Sequence, residues 1–201
     1  MKNILILILI FILLFSGCKK DNSVNKKITS EPNKVLKKQQ KDYSKTGLEI
    51  AFGTKKQLGK NLIGQLSKNG TQKAIEFCNL KALPLTDSMQ TVYQARIKRV
   101  SNKNRNPNNK ANRQEEEYIN QFKTVLKRGE KPQPVIQKTQ DSVYFYYPII
   151  TNAMCLQCHG KPNQDIKPET LKLISSLYPE DKATGYTENQ VRGIWNIAFK
   201  K

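Results

Sequence analysis

Residues 155 to 159 read Cys155-Leu156-Gln157-Cys158-His159. Two thiols separated by two residues reach the two vinyl groups along one edge of a porphyrin, and the histidine that follows lies close enough to coordinate the iron from one face. C-x-x-C-H is therefore the attachment motif of a c-type haem. His159 is the only histidine in the 201 residues. One chain thus holds at most one haem through this motif, and its iron cannot take two histidines. The other readings of C-x-x-C fit less well. A thioredoxin-like dithiol opens a helix within a βαβ pattern, and none precedes residue 155. A zinc site needs a second pair of ligands, and there is neither another C-x-x-C nor another histidine.

The N-terminus carries an address. Met1-Lys2-Asn3 is a short positive start, Ile4 to Phe15 is unbroken apolar sequence, and Ser16-Gly17-Cys18 follow. The apolar run is too short for a bilayer, which takes about 20 residues, but it suits a secretory signal with small residues at its end. A cysteine directly after Ser-Gly resembles a bacterial lipoprotein signal. That resemblance makes residues 1–17 the signal and Cys18 the lipid-bearing first residue of the mature chain, although Phe15 is bulkier than the usual residue there. Haem c is attached outside the bacterial cytoplasm, so two independent motifs name one compartment. The expectation is an exported protein, lipid-anchored to a bacterial membrane and facing the periplasm.

The formal charge is +19. Removing residues 1–17 takes away only Lys2 and leaves +18. In a cytoplasmic protein this balance would suggest nucleic acid. Export excludes that partner and leaves anionic headgroups, an acidic partner protein or simply a solvated lysine-rich surface. Lys19, Lys20, Lys26, Lys27, Lys34, Lys37, Lys38 and Lys41 crowd a stretch with few apolar residues. Residues 18–43 are expected to be a flexible tether, and residues 44–201 one domain.

Within that domain Leu48, Ala51, Leu58, Leu62 and Leu66 recur at helical spacing, with Gly70 as a stop. Thr71 is a good N-cap for a second helix. Its face carries Ala74, Ile75, Cys78 and Ala82, and Pro84 is expected to end it or to start the next turn. Strands are expected at 95–101, 134–138, 142–151 and 191–200, and helices at 113–128 and 170–177. The strand at 142–151 is expected to deliver the haem motif to the sheet end, and 181–187 to form a glycine-containing loop. Helices first and paired strands afterwards indicate α+β with an antiparallel sheet.

Several further segments occur in a telling order: Ala74-Ile75-Glu76-Phe77-Cys78, then Arg99-Val100-Ser101, then Arg105-Asn106-Pro107-Asn108-Asn109. They are followed by Cys155 to Pro162, by Tyr178-Pro179 with Ala183-Thr184-Gly185-Tyr186, and by Arg192-Gly193. This set resembles a family of single-haem c-type proteins first catalogued as a domain of unknown function, over roughly residues 44–201. Its members occur alone or as the exported sensing part of histidine kinases and chemoreceptors. One departure is Asn189-Gln190-Val191, where the family usually carries Gly-Asp before Arg-Gly.

The resemblance implies a PAS-like antiparallel sheet with long N-terminal helices and one covalent haem c on Cys155 and Cys158. It also implies His159 on one face of the iron and a cysteine on the other, and the matching position is Cys78. Cys78 is also the one cysteine that lipid and thioether bonds leave unassigned. Three readings stay open beside it: a small buried thiol, Met89 as sixth ligand, and an open site. Arg99, Arg105 and Arg192 lie in the family-like motifs and are expected to pair with the haem propionates. A redox or small-ligand sensor module follows, with a diatomic ligand and a signalling partner. The rival is an electron carrier to an acidic redox partner. A peroxidase would need distal acid–base groups, and no second histidine supplies one.

Overall fold

The structure is a computed structural model that describes residues 42–201. The signal at 1–17, Cys18 and the tether up to residue 41 lie outside the described residues. Asp42 caps the first helix, α1 (Tyr43–Tyr93), by accepting hydrogen bonds from the Ser44 and Lys45 amides at 3.0 and 3.1 Å. The remaining elements are β1 (Arg96–Val100), a 3-10 turn at Pro107–Asn109, α2 (Arg113–Lys127), β2 (Val135–Lys138), β3 (Ser142–Ile150), α3 (Ala153–His159), α4 (Pro168–Leu177) and β4 (Val191–Lys200). The class is α+β, as the order of patterns predicts. The four strands form one antiparallel sheet in the order β1-β4-β3-β2.

α1 has the break expected at Gly70, with a second helical arm starting at Thr71. It is helical on both sides of Gly70, whose φ of 77° and ψ of 179° break the regular path. A Cβ on Gly53 would fall within 2.0 Å of the Tyr93 hydroxyl. Forty residues of straight helix would put those two positions about 60 Å apart. The two arms, 43–69 and 71–93, therefore fold back on each other, with Gly70 at the bend. Pro84 does not end the second arm, contrary to expectation. Proline removes the amide that would bond to the carbonyl of residue 80. Pro84 and Leu80 are both exposed, so water can satisfy the freed carbonyl. The arm ends instead at Gln94, which adopts a left-handed conformation.

The sheet is buried on both faces, and the period of two in its strands sorts the side chains. Val143 and Phe145 of β3 and Trp195, Ile197 and Phe199 of β4 pack with Ile50 and Ala51 of α1. Gly47 permits this approach, since a Cβ there would overlap the Phe145 ring. On the other face Tyr146 and Ile194 pack with Ile119 and Phe122 of α2. α2 starts with a capping box in which the Asn112 side chain accepts from the Glu115 amide and Glu115 accepts from the Asn112 amide. A third apolar cluster, away from the sheet, joins the second arm of α1 to α4. It contains Ile75, Ile166, Ile174 and Tyr178, and Cys158 packs against it. Among the described residues no helix is long and apolar enough to cross a membrane.

Candidate haem site

The C-x-x-C-H residues lie on α3, a seven-residue helix that sequence patterning did not mark. Asn152 makes it possible. Its side chain accepts from the Cys155 amide at 3.3 Å and lies 3.1 Å from Cys155 Sγ. On one helical turn, residues three apart share a face, so Cys155 and Cys158 present their thiols to the same side. Burial pushes the Cys158 thiol up to about 11.

His159 closes α3, and its ring is oriented by a loop from another part of the chain. Its Nδ1 lies 2.7 Å from the carbonyl oxygen of Ala183. A carbonyl can only accept, so Nδ1 carries the proton and Nε2 keeps its lone pair. That is the tautomer a metal ligand needs. Burial, with Arg192 and Arg105 nearby, holds the imidazole neutral, well below the usual histidine range. Arg192 Nε stands 3.3 Å from the same Nδ1. Since Nδ1 already donates, this neighbour acts through its charge.

A short helix leaves its last carbonyls without intrahelical partners, and here three carbonyls at its end find donors from elsewhere in the chain. Arg105 Nη2 donates to Cys158 O at 2.7 Å, the Tyr186 amide to His159 O at 2.9 Å, and the Gly185 amide to Gly160 O at 2.7 Å. The loop from 181 to 186 thus wraps the end of α3. The sequence marks that loop as a glycine-containing connection and Ala183 to Tyr186 as a family-like segment, without a role for either. Asp181 and Lys103 escaped the reading because their role depends on contacts with residues distant in the chain.

Cys78 reaches the site from the second arm of α1. The Cys78 thiol is raised by burial, with Arg99 and Arg105 opposing that shift. It is also an electrostatic neighbour of Cys158 and of Tyr178. Cys78, Cys158 and His159 are therefore brought into one region. Met89 is not. It packs against the cluster of Ile50, Phe145 and Trp195, on the sheet side of α1. Among the described residues no three His, Cys, Asp or Glu side chains gather around one point as a bare ion requires.

Four cations surround the site, and one carboxylate answers them. Arg105 forks onto Asp181 at 3.1 and 3.0 Å. Arg99 is half-buried and donates only to neutral oxygens, Ala82 O and Thr86 Oγ1, both at 3.3 Å, and its buried Nε has no partner. Arg192 Nη1 donates to Lys103 O at 3.0 Å, and Lys103 Nζ to Thr184 O at 2.6 Å. Both cations flank the Tyr186 ring. Arginines drawn partly out of water without a carboxylate are costly. Arg99 and Arg192 therefore suit an anionic group, and the two propionates of a haem would supply one. The donor set as a whole fits a haem: two thiols on one side of a helix, a neutral histidine with a free Nε2, apolar walls and unpaired cations.

The family model described as Tll0287-like matches residues 19–199. The crystal structure of the cyanobacterial haem protein Tll0287 matches with a TM-score of 0.54 at 23% identity, covering 77% of this chain and 95% of that one. At that identity the likeness speaks for a shared fold. No curated protein matches the chain.

Proposed function

The chain belongs to the Tll0287-like family, and from that premise we propose that it is an exported, lipid-anchored protein with one covalent haem c that works as a redox or small-ligand sensor module. The observation that supports this most is His159, a half-buried neutral imidazole with its Nδ1 proton given to Ala183 O, on the same helix as Cys155 and Cys158. In this reading the two cysteines would carry the thioether bonds and His159 Nε2 would coordinate the iron. Cys78 would supply a thiolate as second ligand, and Cys18 would bear the lipid. When bound, the haem contributes one-electron redox chemistry and an iron that can exchange a ligand.

The chain's own residues set how that chemistry is used. Arg99 and Arg192 offset the propionates, while Arg105 is engaged with Asp181. A thiolate stabilises ferric iron, so its presence keeps the potential low. Protonation of the Cys78 sulfur would weaken its hold on iron, the property that a sensor of a diatomic ligand would need. The PAS-like character implied by the motifs agrees with this role, since a sheet packed against helices can pass a ligand change to a partner protein. The strongly basic balance favours a second reading, an electron carrier steered toward an acidic partner.

The deciding experiment has two stages. Haem should stay on the denatured protein through acid–organic extraction and be lost or destabilised in Cys158→Ala. Full release from wild type ends the covalent reading. Carbon monoxide is then added to the reduced protein. Binding favours the sensor, whereas a closed site with retained ligands in both oxidation states favours the carrier.

A further inference from the structure

We propose that Arg105 and Asp181 form a single positioning unit that orients His159 toward the iron, an inference that rests on the haem reading above. The two residues are 76 positions apart, and their side chains are only 12% and 9% exposed. Asp181 Oδ1 accepts from the Ala183 amide at 2.9 Å. This fixes the backbone of Ala183, whose carbonyl takes the His159 Nδ1 proton at 2.7 Å. Arg105 grips Asp181 through Nε and Nη2 and donates to Cys158 O, one residue before the histidine. The pair thus holds both ends of the His159 hydrogen bond: the loop that accepts and the helix end that donates.

A simple packing role would leave the iron indifferent to this pair. A positioning role makes a different demand. The Nδ1–H···O bond raises the electron donation of the imidazole, and such outer partners are worth about 10–100-fold in metal-site behaviour. Loosening the bond weakens donation and favours ferrous iron. Every variant that breaks the unit should then raise the potential, whatever charge it removes.

That sign separates positioning from direct electrostatics. Asp181→Asn, Arg105→Gln and Arg105→Lys are made in the full-length haem-loaded protein. Haem attachment is first verified after denaturation. Midpoint potentials and ferric paramagnetic-resonance spectra are then recorded. Arg105→Lys keeps the charge and loses the planar fork. All three should shift the ferric–ferrous balance in the same direction by about tenfold, equal to about 59 mV for one electron. The Asp181→Asn/Arg105→Gln double variant should shift no further than either single. A charge effect alone would raise the potential in Asp181→Asn, lower it in Arg105→Gln and leave Arg105→Lys unchanged. That pattern overturns the proposal, as does a lowered melting temperature with wild-type potential and spectrum. Should Asp181→Asn fail to fold, Arg105→Lys decides alone by shifting or not shifting. Wild type without covalent haem would fail at the first step and so overturn the haem reading as well.

Discussion

Thr71, the first residue beyond the Gly70 bend, donates its hydroxyl proton to Gln157 Oε1 at 3.2 Å. Gln157 stands between Cys155 and Cys158, so the bend of α1 is tied to the helix that carries the thiols. The bend itself depends on glycine. A φ of 77° with ψ of 179° is a region that residues with a Cβ avoid.

Gly70→Ala should therefore lose about 1–3 kcal/mol of stability, although nothing crowds a Cβ at that position. Gly64 is an informative control. It lies in regular helix with open space around it, so Gly64→Ala should gain up to about 1 kcal/mol. Urea unfolding of the two variants would read opposite signs. Equal effects would mean that the bend carries no backbone strain to relieve.

The difference between those two glycines was legible in the sequence only in part. A glycine before Thr71 reads correctly as a break in helical periodicity. That the chain doubles back there is set by Gly53 meeting Tyr93, a long-range contact. The last strand, Val191–Lys200, was legible because its apolar residues alternate between two buried faces. α3 was not, since a seven-residue helix is too short to show a period and depends on the Asn152 cap. At the site, Cys155, Cys158 and His159 announce themselves by spacing. Asp181 does not, because a lone aspartate in a loop becomes meaningful only once the fold brings Arg105 beside it.

A buried polar link between the sheet and α2 makes a second prediction. Asn196 Nδ2 donates to Glu115 Oε1 at 2.6 Å, and both residues are almost fully buried. Glu115→Ala removes that partner and half of the capping box together. The expected loss is about 3 kcal/mol, from an orphaned amide and a weakened helix start. Asn196→Leu in the Glu115→Ala background should recover part of it, because an apolar pair leaves nothing unsatisfied. No recovery in chemical denaturation would show that the cap alone matters.

Tyr146 sets a pH limit. Burial first, then Glu115, pushes its phenol from the usual 10 up to about 12. The folded state thus prefers the neutral phenol. Its contribution is complete below pH 10, where both states are protonated. It fades as pH rises through about 12, because only the unfolded chain ionises freely in that window. Wild type should lose stability between pH 10 and 12 more steeply than Tyr146→Phe. In absorbance titration at 295 nm the variant should lack the last tyrosine step. Parallel stability curves would remove Tyr146 as the cause.

The final prediction concerns Cys78. The second arm of α1 brings it into the region of Cys158, beside Arg99 and Arg105, while Met89 stays with the sheet-facing core. If Cys78 is the ligand opposite His159, Cys78→Ser should change the ferric spectrum toward an open or water-bound iron. It should also raise the potential by a sizeable part of the roughly 0.8 V that axial ligands span. Serine nearly conserves volume, so packing around Ile75 and Tyr178 should survive and the melting temperature should fall little. Cys78→Met asks a separate question, since a neutral sulfur can fill the position without the thiolate's negative charge. It should raise the potential while keeping a six-coordinate spectrum. Wild-type spectrum and potential in Cys78→Ser would reduce Cys78 to a buried thiol in the wall of the site. His159 would then be the ligand that remains, because Met89 packs with Ile50, Phe145 and Trp195.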